Sequence, residues 1–182
     1  MDIIEEPLPG LKLLAPRIMK DERGYFFESY QQQKMQAQGI DTTFVQDNES
    51  YSKRYTLRGL HYQVPPFAQA KLVRVVLGEV LDVAVDIRRN SATYGRYYAA
   101  ILNDQNKHQL FIPHGFAHGY CVLSDTAIFC YKTDNFYNKE AEGGIRFDDP
   151  EININWNFPL NMAILSEKDL NLPNFGNHFE FV

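Results

Sequence analysis

Five histidines carry most of the acid–base capacity of this chain near neutral pH. An imidazole with an ordinary pKa of about 6.5 can take or give a proton there. His108 and His178 sit in polar, turn-like or terminal contexts and read as surface residues. His61 lies in Leu57-Arg58-Gly59-Leu60-His61-Tyr62-Gln63. On a strand, Arg58, Leu60 and Tyr62 face one way, and Gly59, His61 and Gln63 the other. From spacing alone that placement fits a half-exposed strand histidine first; the functional reading is a general base. His114 and His118 lie in Phe111-Ile112-Pro113-His114-Gly115-Phe116-Ala117-His118-Gly119. Their i,i+4 spacing is that of a helical metal pair. Pro113, Gly115 and Gly119 oppose a helix there, so a turn between two strands is expected.

The elements that must position these groups read mostly as strands. Phe and Tyr are abundant, at 13 and 11 residues of 182, and aromatics favour pleated surfaces. Leu81, Val83, Val85 and Ile87 alternate with Asp82, Ala84 and Asp86, and Ile152, Ile154, Trp156 and Phe158 with Asn153, Asn155 and Asn157. Period-two alternation predicts half-buried strands, apolar face in and polar face out. Lys71–Leu77 and Val80–Ile87 flank Gly78-Glu79, which reads as a hairpin turn. Further strands are expected at Gly24–Glu28, Thr42–Asn48, Tyr97–Leu102, Gln109–Ile112, Gly119–Leu123 and Thr126–Thr133. A capping box at Ser29-Tyr30-Gln31-Gln32 and a stop at Gly39 predict a short helix over Tyr30–Gln38. Ser166-Glu167-Lys168-Asp169 predicts a second, of one turn. Many short strands and few helices predict an all-β fold, a sandwich or barrel, with residues 1–182 as one domain.

Composition excludes several function classes. Net charge is −5, which opposes a general nucleic-acid surface, because such binding rests on clustered Lys and Arg. A small anionic ligand needs only a local group of cations. No apolar run approaches the roughly 20 residues of a membrane helix, and Met1–Glu6 does not resemble a signal peptide. Two cysteines, Cys121 and Cys130, read as buried thiols in a reducing cytoplasm.

Pro113-x-Gly115-x-x-His118 resembles the second motif of the cupins, a superfamily of jelly-roll β-barrels. Metal-binding cupins place His-x-His and a Glu in their first motif. Here that position reads His61-Tyr62-Gln63, and the glutamate is missing. Two imidazoles without a third protein ligand make a poor transition-metal site, so no metal is expected. The resemblance narrows with six ordered blocks: Asp21-Glu22-Arg23-Gly24-Tyr25-Phe26-Phe27-Glu28, Phe44-Val45-Gln46-Asp47-Asn48, Leu57 to Gln63, Ala68-Gln69-Ala70-Lys71-Leu72-Val73-Arg74, Gly78 to Arg88, and Leu165-Ser166-Glu167-Lys168-Asp169. In order, from Asp21 to Asp169, they are similar to the dTDP-4-dehydrorhamnose 3,5-epimerase family.

That resemblance implies a cupin-type jelly-roll barrel with one or two short helices. It implies an epimerase that inverts C3 and C5 of a dTDP-4-dehydro-6-deoxyhexose, in dTDP-L-rhamnose biosynthesis, without a cofactor. His61 would be the base, Asp169 the carboxylate that orients it, Lys71 the cation beside the C4 ketone, and Tyr131 the phenol that returns a proton. A fixed ammonium makes a C–H beside a ketone removable by stabilising the enolate. Arg23, Arg58 and Lys168 would approach the phosphates or nucleotide; Glu28, Gln46, Asp47 and Asn48 would surround deoxyribose and thymine. His118 and Glu142 match binding positions, and Tyr137 would stack on the base. A cytoplasmic homodimer is implied.

The residues taken alone leave other readings open. Asp169 is also the N3 residue of a Ser166 capping box; Lys71 and Arg74 fit solvated strand charges; Tyr131 fits a core aromatic. Alternatives in function are a related 3- or 5-epimerase or ketoisomerase, a non-catalytic sugar-nucleotide-binding cupin, and a metal-dependent cupin oxygenase. Ala70 departs from the Gly usual in the family before the lysine.

Overall fold

The computed structural model describes residues 1–179 and 181. Its elements, in chain order, are β1 (Asp2–Leu8), β2 (Leu11–Ala15), β3 (Met19–Asp21), β4 (Gly24–Phe26), α1 (Gln32–Ala37), β5 (Gln46–Lys53), β6 (Leu57–Gln63), β7 (Lys71–Leu77), β8 (Glu79–Asp86), β9 (Tyr97–Asn103), β10 (Gln109–Ile112), β11 (Phe116–Val122), β12 (Thr126–Thr133), β13 (Glu142–Gly144) and α2 (Glu167–Leu170). One sheet runs β1-β2-β10-β7-β12-β5, a second β13-β6-β11-β8-β9, and β3 and β4 form a two-stranded hairpin. The pairings are antiparallel. The outcome is the expected all-β architecture of two sheets with two short helices.

Three apolar clusters follow from strand alternation. Val73, Val75, Leu110, Ile112, Ala127 and Phe129 of the six-stranded sheet meet Val80, Ala84, Leu102, Phe116, Tyr120 and Val122 of the five-stranded sheet. The outer face of the five-stranded sheet, with Leu81, Val83, Val85 and Ile87, is covered by Ile145, Phe147, Ile152, Ile154, Trp156 and Phe175 from the chain after β13. The outer face of the six-stranded sheet buries Leu14, Leu72 and Phe111 beneath Met35 and Ile40.

Several expectations are corrected. Lys71–Leu77 is a strand as read, but it does not form a hairpin with β8. β7 bonds to β10 and β12, and β8 to β9 and β11. Gly78, at φ +80, is a corner from one sheet to the other, and a Cβ there would meet Thr126 O at 2.1 Å. β8 is buried on both faces, with Asp82 and Asp86 wholly inaccessible. Its alternation records two interiors, one apolar and one partly polar, and no solvent face. Ile152, Ile154 and Trp156 are buried, but the segment is not a strand. Asn153 and Asn157 adopt φ of +50 and +61, which breaks the extended backbone. Thr42–Val45 lies outside β5, which starts at Gln46. α1 is capped by the side chain of Gln31, which accepts from Lys34 N, and Ser29 is not its cap. α2 starts at the predicted Ser166. His178 is buried, stacked on Phe175, and is no surface residue. Cys121 is buried, while Cys130 is only partly so.

Candidate active site

A cleft of about 540 Å³ opens at one end of the space between the sheets. The five-stranded sheet contributes Arg58 and His61 from β6 and His118 and Tyr120 from β11. The six-stranded sheet contributes Lys71 from β7, Phe129 and Tyr131 from β12 and Ser50 from β5. Ser166, Lys168 and Asp169 close one side.

Regular alternation separates Arg58 from His61, and the expectation that they face opposite ways is corrected here. His118 pairs with His61, but Tyr120 pairs with Arg58, so β6 holds one extra residue in that interval. This bulge turns both side chains into the cleft. Gly59 makes it possible: its φ is +131, and a Cβ would meet Gly119 Cα at 2.6 Å.

His61 Nε2 lies 2.5 Å from Asp169 Oδ1. Burial pushes the Asp169 carboxyl up, but the His61 hydrogen bond and charge, Ser166 and Lys168 outweigh it and hold its pKa below the ordinary range. The ionised carboxylate only accepts, so Nε2 carries the proton and Nδ1 keeps the lone pair. The Asp169 backbone N–H donates to Ser166 Oγ at 3.1 Å. The cap and the dyad therefore coexist: Ser166 fixes the turn, which leaves the Asp169 carboxylate free for His61.

Lys71 Nζ donates to His61 O at 3.4 Å. Burial pushes its pKa down to about 8, against the raising influence of Asp82 and Glu142. The methyl of Ala70 packs with Leu14, Met35 and Leu72 in the outer cluster, away from the cleft. Burial raises the Tyr131 pKa, Tyr120 adds to this and Arg58 opposes it; the phenol stays protonated at neutral pH. His118 Nε2 donates to Asp82 Oδ2 at 2.9 Å. Asp82 was missed in the sequence because a carboxylate in an alternating strand reads as solvated. The available signal was two acids inside an otherwise apolar run, Val80 to Ile87, where burial requires partners.

The remaining predicted residues are only partly gathered. Arg58 Nε donates to Ser52 Oγ at 3.2 Å. Lys168 pairs with Glu142, and Tyr137 OH donates to Glu142 Oε2 at 3.0 Å, so these three form one chain at the rim. Gln46 and Asn48 lie on the face of β5 that continues from Ser50, joined at 2.8 Å, and Asn48 is opposite Tyr131. Asn48 Nδ2 is buried without a hydrogen-bond partner among the described residues. Asp47 faces the other way and pairs with Lys132 at 2.7 Å; a second cavity of about 260 Å³ is lined by Asp47, Asn48 and Tyr131, and Tyr131 also lines the main cleft. Arg23 and Glu28 are not brought to this cleft. Arg23 follows β3 at the tip of the β3–β4 hairpin, with its side chain 89% exposed and paired to Asp21, and Glu28 pairs with Lys34. His114 lies outside the cleft and pairs with Asp134 at 2.8 Å.

A sequence model of dTDP-4-dehydrorhamnose 3,5-epimerase matches residues 5–177. This chain belongs to the dTDP-4-dehydrorhamnose 3,5-epimerase family. It is similar to the dTDP-4-dehydrorhamnose 3,5-epimerase of Shigella flexneri, with 51% identity over 183 residues and all of both chains covered. The crystal structure of dTDP-4-dehydrorhamnose 3,5-epimerase from Elizabethkingia anophelis NUHP1 superposes with a TM-score of 0.93, at 49% identity and 97% coverage of each chain. That of dTDP-6-deoxy-D-glucose-3,5-epimerase from Legionella pneumophila Philadelphia 1, in complex with dTDP-4-keto-L-rhamnose, also gives 0.93, at 45% identity, covering 97% of this chain and 93% of the other. The two-sheet architecture is thus the cupin-type fold of the epimerase family. Gln63, at the position where metal-binding cupins carry a histidine, donates to Phe67 O and Phe136 O and accepts from Asn138 N. All of these partners are backbone groups. No helix among the described residues is long and apolar enough to cross a membrane.

Proposed function

We propose that the chain inverts C3 and C5 of a dTDP-4-dehydro-6-deoxyhexose, and that His61, Asp169, Lys71 and Tyr131 carry the reaction. The observation that supports this most strongly is the division of acid and base between the walls. His61 rises from the five-stranded sheet and Tyr131 from the six-stranded sheet, with the cleft between them. Inversion needs a proton taken from one face of a carbon and returned to the other.

At each centre His61 Nδ1 takes the proton beside the ketone. The C–H electron pair moves onto the C4 oxygen as an enolate, which the Lys71 ammonium stabilises. Asp169 holds the imidazole and stabilises its cation. Tyr131 then gives its phenolic proton to the opposite face as the enolate collapses, and solvent restores both groups. An imidazole can both take a proton and release it, as a general base must.

The substrate's charge lies on its pyrophosphate, and Arg58 and Lys168 are the cations of the cleft suited to it. A guanidinium gives phosphate two parallel hydrogen bonds. Gln46 and Asn48, with the unused Asn48 amide, would meet the sugar or base, and Tyr137 and Glu142 close the rim. His118 borders the hexose site. Arg23 and Glu28 belong with the nucleotide in this reading, and reach it in a homodimer where each hairpin serves the neighbouring cleft.

The test is NMR of dTDP-4-dehydro-6-deoxyglucose with enzyme in D₂O. Deuterium is expected at both C3 and C5, and His61→Ala should slow its entry by about 10²–10⁴-fold. Entry at one carbon only would make the chain a mono-epimerase, and entry at neither would reject the reading.

A further inference from the structure

Two carboxylates are fully buried in β8, and their surroundings differ. Asp86 is saturated: Arg88 binds both its oxygens, and the hydroxyls of Ser91 and Thr93 donate to Oδ2. Asp82 is not. Its Oδ2 accepts from His118 Nε2, while Oδ1 is buried with no hydrogen-bond partner among the described residues. A buried carboxylate costs free energy unless hydrogen bonds or opposite charge compensate it. Asp86 has the compensation that a structural role provides. Asp82, on the inner face of β8, is left with one hydrogen bond and the field of the Lys71 ammonium.

We propose that Asp82 is a positioning residue for the epimerisation: it fixes the proton of His118 on Nε2, leaves Nδ1 as an acceptor for a sugar hydroxyl, and supplies the counter-charge to the Lys71 ammonium. This rests on the reading of the cleft as an epimerase site. The ring of His118 is already set by stacking on Phe129 of the opposite sheet, at 6.1 Å and 24°. Packing fixes its plane but not which nitrogen holds the proton. The partner of one ring nitrogen decides that. Burial lowers the His118 pKa more than Asp82 raises it, so the ring is neutral and has one proton to place. Asp82 thus sets the chemistry of His118 directly and that of Lys71 through charge, without touching substrate.

Two measurements test this. In native protein, long-range ¹H–¹⁵N spectra of His118 at neutral pH should show a neutral ring protonated on Nε2; a proton on Nδ1, or a doubly protonated ring, would overturn the proposal. Asp82→Asn keeps the shape, removes the charge and offers an amide donor to Nε2. It should move the His118 proton to Nδ1 and slow deuterium entry by about 10²–10³-fold, with dTDP affinity unchanged. Native exchange in Asp82→Asn, or loss of dTDP affinity in parallel with exchange, would also overturn it. Absence of exchange in the native enzyme would reject the epimerase reading instead, and the native His118 spectrum would still decide whether Asp82 sets the tautomer. That spectrum needs no variant, so a failure of Asp82→Asn to fold leaves it decisive.

Discussion

Lys71 and Tyr131 give the sharpest tests of the proposed mechanism. Lys71 has its pKa pushed down to about 8 by burial. In the proposed mechanism its ammonium form stabilises the enolate, so that contribution would be complete well below pH 8 and lost as pH rises through that value. The pH profile of kcat/KM for epimerisation should therefore bend down near pH 8. Arginine stays charged beyond pH 12 or so. Lys71→Arg should run more slowly, because its fork does not reproduce the ammonium position, and should lose the alkaline bend. A bend that persists in Lys71→Arg belongs to another group. Tyr131→Phe separates proton removal from proton return. The ring remains, so packing with Phe129 changes little. His61 and Lys71 still form the enolate, which is then reprotonated from the face it left. Deuterium should enter C3 and C5 while the inverted product lags far behind. Equal exchange and inversion rates in this variant would remove Tyr131 from the mechanism.

At the scale of elements, the site depends on pieces too small to be stable alone. α2 is four residues long, far below the roughly 12 an isolated helix needs. It is held by the Ser166 cap, the Asp169–His61 bond, the Lys168–Glu142 pair and a hydrogen bond from Arg146 to Leu170 O. Ser166→Ala should cost about 0.5–2 kcal/mol, the usual value of a cap, and should slow exchange because Asp169 loses its fixed approach to His61. Thermal unfolding and deuterium entry measured on one sample check this; native exchange in a destabilised variant would show that α2 does not orient the dyad. This element was legible beforehand because capping is local chemistry, written in four consecutive residues. β7, β10 and β12 were legible for a similar reason, since their apolar content marks them as strands. Three features were not. Alternation in β8 records burial against two different interiors, and a one-dimensional pattern cannot separate a polar interior from water. Gly78 looks like any hairpin glycine, and only the choice of partner strand makes it a corner. The bulge that brings Arg58 beside His61 exists through the contact of Gly59 with Gly119, residues far apart in sequence. Each involves a relation between distant strands, and the motif match to the epimerase family was able to name Arg58 and His61 together without explaining how they meet.

At the scale of the whole molecule, the β3–β4 hairpin touches its own chain through the Tyr25 ring, with Lys107 Nζ 4.7 Å from its centroid, and leaves much apolar surface uncovered. Its strands are three residues each and, among the described residues, pair only with each other, and a two-stranded hairpin alone is marginally stable in water. It exposes Met19, Tyr25 and Phe26 at 51%, 57% and 62%, and at its tip Arg23 pairs with Asp21. A second copy would cover the apolar side chains and bring Arg23 toward a pyrophosphate. Arg23→Ala should then weaken dTDP binding by roughly 10–150-fold, the range for loss of a charge-assisted hydrogen bond. Affinity alone does not say whose cleft Arg23 serves, but mixed dimers do. Consider Arg23→Ala chains refolded together with His61→Ala chains. Each parent dimer epimerises poorly at low substrate, one through weak binding and the other through the missing base. If each hairpin serves the neighbouring cleft, the mixed dimer combines an intact His61 with the intact Arg23 of the other chain, and one native site appears per dimer. If Arg23 serves its own cleft, both defects persist and mixing restores nothing. Recovery of epimerisation at low substrate, scaling with the fraction of mixed dimer, is the expected result; a mixture no faster than its parents would assign the hairpin to its own chain, and a monomer in sedimentation would remove it from the site altogether.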